Sequence, residues 1–216
     1  MAGPKTRPTN NFHCFEGAGH GFWKAIAQGM RPTGLTSSPD GYQLDYIKDV
    51  DGSIVHNGGM FAPQEVKMHP GTYFRFFGTT SKNVYGAGSS MAGGWWLDYD
   101  NFLKVSDWAE QHDVSLARAA QALLVIPKEW HDCGYVGRAR LKITMKAWVG
   151  KGKPATGSIS PDSPKRDKAS TPVTMAPVHL EMKQYFVPGE RKLLGECFEL
   201  VNTQQVIRKD TRLLQK

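Results

Sequence analysis

"HLEMKQYFVPG", residues 179–189, is the stretch whose reading decides the fold. Successive side chains of a strand point to opposite faces. Leu180, Met182, Gln184 and Phe186 then share one face, and Glu181, Lys183, Tyr185 and Val187 share the other. One amide points the same way as three apolar neighbours, just before an apolar run that ends in Pro188-Gly189. A buried amide needs hydrogen-bond partners. Gln184 is therefore either a satisfied strand amide or a group with a task.

Upstream, "RLKITMKAWVG" (140–150) alternates apolar with mostly basic residues and predicts one strand. Between the two, "GKGKPATGSISPDSPKRDKASTP" (150–172) is too polar and too rich in Pro, Gly, Ser and Lys to build a core, and predicts a long mobile loop. "GTYFRFFGT" (71–79), "CFELV" (197–201) and "QQVIRK" (204–209) predict further strands. "FWKAIAQGM" (22–30) predicts a short helix. A second helical stretch lies within 95–113, capped by Asp98 or Asp100, and a third within 114–127, capped by Ser115 and stopped before Pro127. Residues 81–94 read as loop, and a hairpin is expected around Asp51-Gly52. Residues 1–11 read as a flexible tail, and 12–216 as a single α+β domain of two packed antiparallel sheets with flanking helices.

The bulk numbers narrow the classes. Twenty-seven basic residues stand against 20 acidic ones, a net charge of +7, which favours a polyanionic partner. Three scattered cysteines, Cys14, Cys133 and Cys197, suit neither a disulfide framework nor a zinc site, and no metal is expected. Cys14 beside His13 reads as a buried thiol before a nucleophile. The N-terminus carries no apolar leader, and the longest apolar stretch, "QALLVIP", is far too short to cross a bilayer. A soluble cytoplasmic protein without a membrane partner is the expectation.

Three segments, in this order, resemble the ADP-ribosyltransferase superfamily, especially its bacterial toxin members. "YFRFFG" (73–78) is similar to the aromatic-flanked arginine of that family's first motif, with Arg75 at the arginine. "GSSMAGGWW" (88–96) resembles the segment that lies over the nicotinamide. "QYFVPG" (184–189) resembles the catalytic strand, whose key residue stands directly before an apolar run ending in Pro; it is usually Glu, in some NAD-cleaving toxins Gln, and here Gln184. The resemblance spans about residues 70–190 and implies an ADP-ribosyltransferase-like split β-sandwich. An alternative first motif is "NNFHCFEGAGHGFWKAIAQGMRPTG", in which His13 would bind the adenosine ribose.

That family cleaves NAD, its substrate, and moves ADP-ribose to an acceptor. The resemblance assigns Gln184 and Arg75 to catalysis, and Arg75, Ser89, Ser90, Trp95, Trp96, Tyr85 and His13 to holding the dinucleotide. Arg75 would grip pyrophosphate or ribose, and Trp95, Trp96 or Tyr85 would stack on the nicotinamide. Met182 stands where many protein-modifying members carry an acceptor-engaging Gln or Glu, so the acceptor must supply its own reactivity or be water. Lys151, Lys153, Lys165, Arg166 and Lys168 in the long loop favour an RNA or DNA acceptor over protein. The implied setting is a toxin or defence effector, as in toxin–antitoxin or phage-defence systems, with a neutralising antitoxin or immunity protein. Rival readings are an NAD glycohydrolase, a basic nucleic-acid-binding or ribonuclease domain using His13, His20 and His131, and a binding module that kept the fold.

Overall fold

In the computed structural model, residues 9–33, 43–45, 58–156, 174–178 and 182–208 are described. A 3-10 turn, Phe12–Phe15, leads into α1, Gly17–Ala27. Two short strands, β1 (Arg31–Thr33) and β2 (Gln43–Asp45), pair with each other. Then come β3 (Met60–Met68), β4 (Gly71–Phe77), α2 (Thr79–Ser90), β5 (Trp95–Trp96), α3 (Tyr99–Gln111) and α4 (Leu116–Leu123). The chain continues through β6 (Tyr135–Leu141), β7 (Met145–Gly152), β8 (Ala155–Thr156), β9 (Thr174–Met175), β10 (Lys183–Phe186), α5 (Arg191–Cys197) and β11 (Phe198–Gln205).

Two antiparallel sheets organise the chain, in the orders β3-β7-β10-β5 and β11-β6-β4. Met68, Trp96, Met145 and Ala147 of the first sheet meet Phe77, Ala139, Leu141 and Phe198 of the second in one buried cluster. The outer face of the first sheet, with Met60, Trp148 and Phe186, is covered by Cys14, Phe15 and Ala27. The outer face of the second, with Phe74, Phe76 and Val136, is covered by Phe102 and Val105 of α3 and Leu116, Ala120 and Leu123 of α4. Each sheet thus buries both faces, with the stacked Trp96 and Phe198 rings at 3.8 Å between them.

A bridge joins the two sheets at one edge. Phe74 and Leu97 exchange both backbone hydrogen bonds, at 2.9 and 2.8 Å, while the neighbouring Trp95 and Trp96 pair with Phe186 and Tyr185. The clasp holds Arg75 beside the strand that carries Gln184.

Several expectations change. The run 140–150 is two strands, because Lys142, Ile143 and Thr144 turn the chain from the second sheet into the first. Leu141 and Met145 stay in the same inter-sheet core across that corner, so alternation survives a change of sheet. "CFELV" and "QQVIRK" merge into β11, whose bulge at Val201 interrupts the pattern, and Cys197 closes α5, which the pattern did not announce. Residues 81–94 are not all loop, since α2 occupies most of them, with a kink at Gly86 (φ 75) that a side chain would oppose. Residues 150–156 of the expected long loop belong to β7, β8 and their link, and Lys153 is tied down by a 2.8 Å bond to the Gln28 carbonyl. The rest of that loop, 157–172, and the Asp51-Gly52 hairpin lie outside the described residues.

Residue 11, expected in a flexible tail, is buried. The buried Asn11 side chain bonds the backbone N–H and carbonyl of Lys146 and the carbonyl of Pro188, at 2.8–2.9 Å, and so fastens the N-terminal segment to β7 and to the end of the QYFVP run. The caps fall as expected: Asp98 accepts from the Asn101 N–H at 2.8 Å and Ser115 from the Arg118 N–H at 3.2 Å. Among the described residues no helix is long and apolar enough to cross a membrane.

Candidate active site

Met182, Gln184 and Phe186 are all buried and Lys183 is exposed, as the alternation of the opening stretch requires. The Gln184 amide has a specific partner. Helix α4 ends in a left-handed residue, Val125 (φ 55), with the Ile126 N–H returning to the Gln121 carbonyl at 2.9 Å. This is the geometry of a helix stop usually made by glycine. It aims the Leu124 carbonyl at β10, where Gln184 Nε2 donates to it at 3.1 Å. With the nitrogen engaged, Oε1 is the acceptor that Gln184 keeps. A carboxylate in its place would set oxygen against a carbonyl at the negative end of a helix, which explains the amide.

Gln184 and Arg75, far apart in sequence, line one cavity of about 280 Å³. Its wall takes Phe74, Arg75 and Phe76 from β4, Trp95, Trp96 and Leu97 from the clasp, and Leu124, Val125 and Ile126 from the end of α4. Gly59, Trp130, His131, Lys153 and Gln184 complete it. The volume is at the small end of ligand sites, which begin near ~300 Å³. Among the described residues, Arg75 and Lys153 are the charged side chains of the wall, and no wall residue is a carboxylate.

Arg75 is held by its surroundings more than by partners. Nη1 donates to the Trp95 carbonyl at 2.8 Å, and the guanidinium lies 5.9 Å from the Trp96 ring centre. Its Nε is buried with no partner. Burial, and then the Arg191 charge, pull its pKa down to about 10, so it stays protonated at neutral pH. Gly93 makes room for it, because a Cβ there would stand 1.9 Å from Nη2. Arg75 is half-buried and has no carboxylate partner among the described residues; a cation so placed is costly, and a ligand anion offsets that cost. Burial also lowers the Lys153 pKa. Gly152, the residue before it, lies so close to Gln184 that an added Cβ would be 3.2 Å from Nε2.

His131 sits in a short turn. Its Nδ1 accepts from the Cys133 N–H at 3.1 Å, and Cys133 itself has a positive φ of 51. Asp132 accepts from the N–H groups of Thr79 at 2.8 Å and Gly134 at 3.0 Å; burial raises its pKa, but these bonds together with the His131 charge outweigh it and lower the pKa. Burial, and then the Arg75 charge, push the His131 pKa down to about 4, so the imidazole is neutral at pH 7.

The other sequence-derived candidates fall in different places. Trp95 is half-buried in the wall. Trp96 also reaches the wall, but its ring is committed to Phe198 and its N–H to the Gly93 carbonyl at 2.8 Å, which makes it a core residue that supports Arg75. Ser89 and Ser90 lie on α2 away from the cavity wall, and Ser90 Oγ bonds the Gly86 carbonyl at 3.3 Å. Tyr85 is on α2 too, its side chain outside the described residues. His13 is exposed on the 3-10 turn and does not line the cavity, and His20 contacts Glu65 at 3.9 Å, so the three histidines of the nuclease reading do not share the site. Cys14 is a buried thiol pushed up to about 11 by burial, far from a ready nucleophile.

Sequence reading missed Gly59, Leu124–Ile126, Trp130 and Lys153 as wall residues. Trp130, partly exposed at 39%, had a signal: a tryptophan between a helix-stopping proline and a turn has no periodic reason to be there. No family model, curated protein or solved structure matches the chain.

Proposed function

We propose that this chain is a cytoplasmic NAD-dependent ADP-ribosyltransferase of the toxin or defence type, with a macromolecular acceptor, nucleic acid before protein. The supporting observation is the convergence of Arg75 and Gln184 on one tryptophan-lined cavity whose described wall residues include cations and no carboxylate.

The chemistry needs positioning and electrostatics more than covalent help. As the bond from ribose carbon to nicotinamide nitrogen breaks, its electron pair leaves with neutral nicotinamide and the ribose becomes oxocarbenium-like. Gln184 Oε1 accepts from a ribose hydroxyl and orients the sugar. Arg75 holds the pyrophosphate through its planar fork. Trp95 and the exposed Trp130 offer faces to the flat ring. The acceptor oxygen or nitrogen then bonds to the ribose carbon and gives up its proton to solvent.

Met182 is buried in the core among Phe74, Leu116 and their neighbours, so nothing at that position activates an acceptor. That observation favours a second reading, NAD hydrolysis, in which water takes the ADP-ribose. The net charge of +7 favours a nucleic-acid acceptor. A toxin of this kind would come with a neutralising antitoxin or immunity protein.

The test is to incubate the protein with labelled NAD, with and without RNA or DNA, and follow nicotinamide release and the label. Transfer gives nicotinamide plus labelled nucleic acid, hydrolysis gives nicotinamide alone, and RNA cleavage without NAD sinks both readings.

A further inference from the structure

Among the described wall residues the proposed chemistry leaves two titratable groups unused, Lys153 and His131. The His131 ring is fixed on one side: Nδ1 accepts from the Cys133 N–H at 3.1 Å and lies 3.4 Å from Cys133 Sγ. An acceptor role for Nδ1 puts the proton of the neutral ring on Nε2. The turn that holds it is built into the fold. The Gln121 side chain of α4 donates to the His131 carbonyl at 3.2 Å, Asp132 bonds the start of α2, and Gly78 leaves no space for a Cβ against His131 Cβ, 2.9 Å away. The Nδ1 edge faces this turn, so the Nε2 edge is the one left for the cavity.

The charges around the ring oppose proton transfer. Arg75 of β4 faces it and Lys153 shares the wall, while Asp132 is committed to the backbone of Thr79 and Gly134. Among the described residues the wall therefore presents mostly donors: the Arg75 guanidinium, the Lys153 ammonium and the His131 N–H, against one side-chain acceptor from Gln184.

We propose that His131 is a specificity-determining residue, a fixed neutral Nε2–H donor that, beside Arg75 and Lys153, selects a ligand rich in acceptor oxygens and transfers no proton. The ligand class is a phosphorylated nucleoside whose phosphate oxygen meets Nε2 and whose ribose hydroxyl meets Gln184. The kinetic arm of the test rests on the NAD reading above; the spectroscopic arm does not.

In the kinetic arm, nicotinamide release from NAD is measured on the full chain and on two variants. His131→Asn keeps an acceptor where Nδ1 stands, so the Cys133 N–H stays satisfied, but removes the Nε2 donor. It raises KM by about tenfold, the worth of one good hydrogen bond, with kcat within about twofold and the pH–rate profile between about pH 5.5 and 8 unchanged. His131→Gln, which returns a donor near Nε2, recovers KM to within about threefold. A fall in kcat of about a hundredfold with loss of an ionisation would make His131 an acid or base and overturn the proposal, as would an Asn variant indistinguishable from the parent.

In the spectroscopic arm, two-bond nitrogen–proton correlation spectra of the imidazole give its tautomer, with inorganic pyrophosphate as the probe. The result expected is a neutral ring protonated on Nε2 throughout about pH 5.5–8, with the Nε2 resonance moving as pyrophosphate is added. A ring protonated on Nδ1, a cation in this range, or an Nε2 resonance indifferent to pyrophosphate would overturn it. If the parent releases no nicotinamide, the NAD reading fails and this second arm alone decides the role of His131.

Discussion

At position 184, an amide and a carboxylate of nearly the same shape would meet the Leu124 carbonyl in opposite ways. The amide donates at 3.1 Å. Gln184→Glu sets two acceptors face to face at the end of α4 and is expected to cost about 1–3 kcal/mol, read as a fall in Tm of roughly 2–4 °C for each kcal/mol. An unchanged Tm would mean that the bond to Leu124 contributes nothing. Gly93 offers the complementary experiment. Gly93→Ala puts a methyl where the Arg75 guanidinium lies. It should move that group off the Trp95 carbonyl and raise the KM for NAD by at least about tenfold, as loss of a charged hydrogen-bonded partner would, while near-UV circular dichroism stays native. A Gly93→Ala protein with the parent's KM would show that the position of Arg75 is irrelevant to binding. Of these residues the sequence marked Arg75 and Gln184 by their neighbours. Gly93 was invisible as a spacer, because nothing local to "AGGWW" says which distant side chain fills the space beside it.

Among the elements, α3 carries the heaviest single cap. Asp98 accepts from Asn101 N–H at 2.8 Å with one oxygen and from the Tyr185 hydroxyl at 2.9 Å with the other, so it ties α3 to β10 next to Gln184. That bond and burial together raise the Tyr185 pKa, burial first. Asp98→Ala removes a cap and a cross-link, and should cost about 2 kcal/mol, roughly 4–8 °C in Tm; a change under about 1 °C would show that solvent replaces both bonds. Helix caps were legible from sequence because they are local. The boundaries that failed were set by contacts distant in sequence. Residues 140–150 keep one alternation while crossing between sheets, since Leu141 and Met145 face the same core. The stop of α4 uses Val125 where glycine would have been a signal. A β-branched residue at a positive φ is strained, and strain of this kind gathers where a site needs a particular backbone.

For the whole molecule, the half-buried imidazole of His131 links stability to pH. Its folded pKa is about 4 and its ordinary value 6.5, so the unfolded chain takes up the proton first. Acidification therefore favours unfolding from pH 6.5 downward, and the loss is complete near pH 4. Asp132 is lowered from 3.8, so its contribution is held above that value and lost below, in a more acidic window. Tm should be level above about pH 7 and fall as pH drops through the histidine range, with a shallower fall in His131→Asn; parallel curves for parent and variant would exclude His131 as the source. The α+β class and the two antiparallel sheets were legible, since they follow from strands that alternate and helices that carry caps. The cavity was legible at Arg75, at Gln184 and at the Trp95–Trp96 pair. Its other walls come from the stop of α4, the turn after it and the end of β7, and no period in the sequence connects them. The central claim is that a dinucleotide is held between Arg75 and Gln184. The measurement that tests it most directly is the split between KM and kcat for NAD cleavage in two variants. Arg75→Ala is expected to raise KM by at least about tenfold, and Gln184→Ala to lower kcat by about a hundredfold, with the fold kept in both. Nicotinamide release that is absent from the parent, or untouched by either change, would contradict it.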